Sequence, residues 1–328
     1  MWEALTVVFE VLVFPGFLFV IALALLSEWW IRKVVARAQN RMGPSYVGPA
    51  GILQPFADFI KLMSVKEEIK QKYSTLTIAK VFTLFGFGAV IAALLLLPIS
   101  PVRLSSSYDI VVLSYLCCVW VPFTIVVIGL STPNPFSNAG VSRLLSMYAL
   151  CEPAYFMSIL VPAALVTKLF SPAQPYSVFA TSYHAWQLWL NPYTAVLMAL
   201  ALFGVTVSTQ AKAMLQPFNI PEAEQEIVAG FMTELSGPML GLTHLLHDID
   251  TSVTLLITVY LLLGGPYPFP HLSLPGFLMV VTKYLALLTV LSVIEASYGR
   301  LRIEQALSVI GRYSIIPSLI ALVATMII

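Results

Sequence analysis

Apolar runs long enough to cross a bilayer recur along this chain from one end to the other, and nothing else in the sequence constrains its fold as tightly. Lipid offers a backbone N–H or C=O no hydrogen-bond partner, so each crossing needs about 20 predominantly apolar residues in a helix that satisfies its own backbone. Composition agrees: 59% of the 328 residues are hydrophobic, only 10% are charged, and the mean hydropathy is +0.89. Soluble domains carry roughly one-quarter charged residues, so an ordinary soluble enzyme is excluded. The expected fold is all-α, a polytopic transmembrane helical bundle forming a single membrane domain over residues 1–328. A net charge of +1 gives no argument for nucleic acid.

Spans are predicted near 7–27, 77–98, 109–131, 146–168, 189–208, 237–264, 275–297 and 313–328. Met1 to Glu10 has no basic leader and no small-residue cleavage pattern precedes Glu28, so the first run reads as a span and not as a signal peptide. With the N-terminus outside, fourteen of the seventeen Lys and Arg residues fall in inner segments, Arg103 and Lys168 lie outside, and Lys283 falls within a span. Cytoplasmic loops carry the excess of basic residues, which supports eight spans with both termini outside and a multi-pass protein of the cell (inner) membrane. The outer loops at 99–108, 169–188 and 265–274 are nearly uncharged, which puts the chemistry on the inner side. No internal repeat is visible, and this weighs against a stand-alone secondary transporter. Cys117, Cys118 and Cys151 sit in apolar stretches without a CxxC spacing and read as buried small side chains, not as metal or iron–sulfur ligands.

The first inner loop, Glu28 to Tyr73, is long and basic and contains QNRMGPSYVGPAGILQPFADFIKLMSVKEE. Its Gly and Pro residues force tight turns. Beyond them Ile52, Phe56, Phe59, Ile60 and Met63 recur at helical spacing opposite Asp58 and Lys61, the pattern of an amphipathic helix lying in the interface. A loop so stiffened can hold Arg37 and Arg41 where they would pair acidic groups of a docked soluble subunit; the plainer reading is that they obey the positive-inside rule.

Two further groups of charges stand out. In QPFNIPEAEQEIVAGFMTELSG, Glu222, Glu224, Glu226 and Glu234 crowd beside the membrane. Carboxylates so close repel one another, which raises some of their pKa values and suits a proton relay; the same glutamates after Pro221 also make a good helix first turn. Within spans, Glu152 followed by Pro153 lies in an otherwise apolar or small run, and a charge at that depth costs about 2.5 kcal/mol or more on insertion scales. His244, His247 and Asp248 share a helix face with Asp250 beyond, a pattern that fits a hydrated channel lining better than a metal site. Lys283 and Glu295 fall in span seven, and Lys283 is expected to need a carboxylate partner.

Four motifs in order then carry a resemblance over nearly the whole chain. RKVVARAQNRMGPSYVGPAGILQPFADFIKL, GVSRLLSMYALCEP with Arg143 and Glu152, PFNIPEAEQEIVAGFMTELSG, and RLRIEQALSVIGRYSIIP with Arg300 and Arg302 resemble segments of NADH dehydrogenase subunit 1. That family includes the H subunit of bacterial complex I and its counterparts in energy-converting hydrogenases. The resemblance implies a membrane subunit that docks a peripheral redox arm and passes the effect of electron transfer into membrane carboxylates. By motif match, Glu152, Glu222, Glu224, Glu226, Glu234 and Asp248 would belong to that relay, Lys283 is expected to join it as an intramembrane charge, and Arg37, Arg41, Arg143, Arg300 and Arg302 would face the arm. Implied partners are an iron–sulfur small subunit, a hydrogenase-like large subunit and antiporter-like membrane subunits. The iron–sulfur clusters, and in the hydrogenase branch a nickel–iron site, would belong to those partners, leaving this chain non-catalytic and without a cofactor. Where quinone-reducing members usually place an acid, an arginine and an aspartate, this chain has Lys212, Leu215 and Asn219, and Ile31 stands where a first-loop glutamate is usual. That departure favours the ferredoxin-linked hydrogenase or sulfane reductase branch over a quinone-binding subunit of a respiratory dehydrogenase.

Overall fold

The computed structural model describes residues 8–100 and 106–327, and among these it is all-helical, with no strand. Arg103, one of the two outer basic residues expected from the sequence, lies outside the described residues. Ten helices carry the architecture: α1 Phe17–Ala38, α2 Gln54–Ser64, α3 Leu76–Leu95, α4 Asp109–Leu130, α5 Pro135–Phe170, α6 Val178–Leu190, α7 Pro192–Lys212, α8 Gly237–Leu262, α9 Leu274–Ser297 and α10 Ile303–Ile327. Eight of them, all but α2 and α6, are long and apolar enough to cross a membrane. All eight expected spans are present.

Local sequence sets where these helices begin. Asn134 and Asn191 accept the Phe136 and Tyr193 amides at the starts of α5 and α7, and Ser273 accepts the Gly276 amide at the start of α9. Each cap is followed by a proline in the first turn, where the missing N–H costs nothing and the fixed φ suits a helix. Because lipid gives apolar side chains no reason to cluster, close helix approach relies on small residues and hydrogen bonds. The α5–α7–α10 seam is built this way. Ser158 bonds Ser318 at 2.6 Å, Ser314 donates to the Gly204 carbonyl at 2.7 Å, and a Cβ on Gly204 would collide with Ser318 Oγ.

Helix ends depart from the expected spans where polar residues continue a helix past its apolar run. α1 extends to Ala38, not 27, because Arg32 pairs with Glu28 and Asp58 and Lys33 donates to the Pro44 and Ala50 carbonyls. α5 starts at Pro135, eleven residues before the expected 146, with Arg143 on its early turns. Part of the 169–188 stretch expected as loop folds into α6.

The loops join at two ends. At one end, the segments after α1, α4, α7 and α9 interlock: Thr75 donates to the Ser131 carbonyl, Ser236 accepts the Ile69 amide, and the Leu301 amide reaches the Pro217 carbonyl. This basic end holds α2, whose Ile60 and Met63, with Leu53 just before its first turn, are exposed as an interfacial helix requires. At the opposite end, the Ile110 amide meets the Tyr176 carbonyl and Trp189 donates to the Leu262 carbonyl. α8 runs through the middle, with nearly every residue of its second half buried.

Candidate functional site: a buried lysine between two carboxylates

Lys212 ends α7 and is 1% exposed. Its Nζ lies 3.3 Å from Glu152 Oε2 on α5 and 3.4 Å from Asp250 Oδ2 at the mid-point of α8, and donates to the Cys117 carbonyl on α4 at 2.7 Å. That carbonyl belongs to a π-helical stretch, Tyr115–Trp120, within α4, a distortion that re-registers helix hydrogen bonds and recurs at functional sites. The Tyr155 ring lies 5.9 Å from the ammonium, fixed by a hydroxyl bond to the Thr254 carbonyl. Four helices thus converge on one cation.

Ion pairs at this separation are worth about 5 kcal/mol each at an effective dielectric of about 20, against a desolvation cost of several kcal/mol per ion. The count of charges matters more. Two carboxylates face one ammonium, so the cluster is neutral only when it holds one additional positive charge. Glu152 Oε1 and Asp250 Oδ1 are buried and find no N–H or O–H donor among the described residues, which leaves an oxygen on each acid where a proton can be held.

A polar cavity of about 260 Å³ opens beside this cluster at the basic end, lined by Ser27, Glu28, Arg32, Gln216, Asn219, Glu222, His244, His247, Asp248, Thr251, Ser252 and Glu295. A second cavity, about 360 Å³, runs beneath α2 between α1 and α8 and shares Glu28, Arg32, His244 and Asp248 with the first. On the other side of the cluster, an apolar groove of about 540 Å³ between α4 and α5 exposes Glu152 to the flank of the bundle, beside Tyr115, Cys118, Tyr148, Pro153 and Phe156.

The four glutamates of the acidic loop have different surroundings. Glu222 alone faces the cavity, and its enclosure, then the charge of Glu224, pushes its carboxyl up to about 7. Glu224 is exposed. Glu226 meets Arg143 at 2.6 Å and Arg300 at 2.9 Å, and the hydrogen bond and charge of Arg143 hold it below the usual carboxylate range. Glu234 bonds the Asn134 side-chain amide. Arg143 and Arg300 therefore have an acid within their own chain, while Arg37, Arg41 and Arg302 are exposed, the first two on the segment that leads to the protruding Met42 and Tyr46. Gly51, at φ +78°, holds that loop: a side chain there would strike the Pro44 carbonyl.

One expectation is corrected outright. Among the described residues Lys283 has no carboxylate partner; it donates to the Leu263, Gly265 and Tyr267 carbonyls at 2.8, 2.8 and 3.0 Å and lies over the Trp186 ring, at the end of the bundle opposite the basic loops. The terminus of α8 supplies oxygens enough to satisfy it. Conversely, Lys212 and Asp250 form the buried cluster although sequence reasoning counted Lys212 among the inner-loop basics. The missed signal was a sign count: two acids inside spans, Glu152 and Asp250, required a cation at the same depth.

Eight apolar helices wrapped around a buried ion cluster make this a multi-pass helical membrane protein. Residues 10–326 match the family model described as NADH dehydrogenase, and the chain belongs to that family. Its fold is similar to a chain in the structure of the membrane-bound sulfane sulfur reductase, an archaeal respiratory membrane complex. The TM-score is 0.79 at 22% identity, covering 99% of this chain and 100% of that one.

Proposed function

We propose that this chain is the coupling subunit of a complex I-like respiratory membrane complex of the ferredoxin-linked hydrogenase or sulfane reductase kind, relaying protons through its buried carboxylates. The observation that carries the reading is the Lys212 cluster, one acid in excess of its bases, with a polar cavity on one side and a lateral groove on the other. A redox event in a docked arm changes the protonation of groups lining the cavity, Glu222 and Asp248 first. The proton passes to Asp250 and Glu152, moving Lys212 between them, and leaves through the groove to an antiporter-like neighbour. Exposed Arg37, Arg41 and Arg302 with Tyr46 present the face on which the arm's iron–sulfur subunit docks. Iron–sulfur clusters, and in a hydrogenase the nickel–iron site, belong to the arm, and this chain holds no reacting group. Lys283, at the far end, is outside this path.

The test uses the intact complex in proteoliposomes. Glu152→Gln is expected to lower ion pumping by at least about tenfold while electron transfer by the arm persists; undiminished pumping would refute the relay. The NADH dehydrogenase match favours a second reading, a quinone-binding subunit of a respiratory dehydrogenase. Ile31, Leu215 and Asn219 on the wall of the first cavity, uncharged where quinone-reducing members usually carry charges, support the first, and quinone retained by the purified complex would support the second.

A further inference from the structure

The cavity and the Lys212 cluster abut without merging: Lys212, Glu152 and Asp250 are absent from the cavity wall. A relay through the cluster, the reading on which this inference rests, therefore needs a group that faces both. The titratable groups on the wall are Glu28 and Arg32 from α1, Glu222 from the loop after α7, His244, His247 and Asp248 from α8, and Glu295 from α9. Arg32 keeps its proton at any physiological pH. Glu28, His244 and Asp248 also line the cavity beneath α2, whereas His247 does not. Its imidazole faces the main chain of Lys212 instead.

We infer that His247 is the proton shuttle between the inner cavity and the Lys212 cluster. Its Nδ1 lies 3.9 Å from Asp248 Oδ1, and its buried Nε2 has no hydrogen-bond partner among the described residues. Asp250, with its own donor-less Oδ1, follows three residues later on a neighbouring part of the same helix surface. An imidazole accepts a proton at one nitrogen and releases another from the second, so one ring joins two acids that do not touch. The step balances: Asp248, or the cavity, gives a proton to Nδ1, Nε2 gives one to Asp250, and the neutral ring resets by turning over or exchanging its proton with the cavity. The nearby hydroxyls of Thr251 and Ser252 pass protons but store none at neutral pH. Thr251 is in any case committed to the His247 carbonyl at 3.1 Å.

The experiment compares variants of the assembled complex in proteoliposomes. His247→Ala is expected to lower pumping by at least about tenfold, and millimolar imidazole added to the medium is expected to restore part of it. His247→Gln, which keeps a hydrogen-bonding side chain but cannot store a proton, should be equally impaired; His184→Gln at the far end should match wild type. A structural role for His247 predicts no imidazole rescue, and that result, or normal pumping by both variants, overturns the shuttle. If neither variant assembles, infrared spectra of the wild-type complex with ring-labelled histidine decide, because turnover must produce a transient imidazolium band and its absence overturns the proposal. Glu152→Gln separates the two claims. Normal pumping there fells the relay itself, whereas loss there beside normal His247→Ala fells only the shuttle.

Discussion

Lys212 and Lys283 are both lysines carried by membrane-spanning helices, yet their surroundings differ in kind. Lys212 is enclosed by two carboxylates, a carbonyl from a π-helical stretch and an aromatic face contributed by three other helices. Lys283 is half-way out, satisfied by three carbonyls just past the end of α8. One ammonium is held by groups that can change charge, the other by groups that cannot. The contrast teaches that depth in a span is a poor guide to function until the partner is known.

The sharpest way to break the comparison is to remove both cations. Lys212→Met leaves two buried acids without a counter-charge, a loss of about 3–5 kcal/mol, and should collapse thermal stability of the complex in detergent as well as pumping. Lys283→Met removes only favourable charge at a helix C-terminus, about 0.3–1 kcal/mol, and should leave pumping intact. Equal melting shifts for the two would erase the distinction.

A second contrast lies within the acidic loop. Glu222 titrates near 7 when folded against 4.5 ordinarily. Between those two values the folded state binds more protons than the unfolded one, so this group's contribution to stability falls as pH rises through that window. Glu222→Gln should flatten that slope in pH-dependent melting, and an unchanged slope would deny Glu222 its enclosed setting. Glu226 behaves oppositely, held ionised by Arg143 and Arg300 at the surface. Glu226→Gln should give the smallest effect of the set, visible in melts at low salt and lost at high salt, since exposed pairs are screened.

Much of the architecture was legible because a span's apolar run is physically obligatory: all eight positions are occupied by helices. The ends were not, because Arg32, Lys33 and Arg143 find partners in nearby loops and let α1 and α5 continue beyond their apolar runs. The same error hid the main site. Ending the fifth span at 208 put Lys212 outside the membrane, where its charge needed no explanation, while α7 in fact carries it inward against α5 and α8. Glu152 and Asp248 could be singled out from local sequence; that Glu222 turns inward while Glu226 turns to arginines depends on a fold of the loop that no local pattern encodes.

α8 is wrapped on nearly all sides by its own chain, with Gly237 pressed against the Glu67 carbonyl at one tip and Lys283 clasping the other. A rod so sheathed offers neighbouring subunits almost no flank to push on. Whatever reaches its central aspartate must arrive through the tips or through the side chains that pierce the sheath, which makes the loop between α7 and α8 the natural place for an attached protein to apply force.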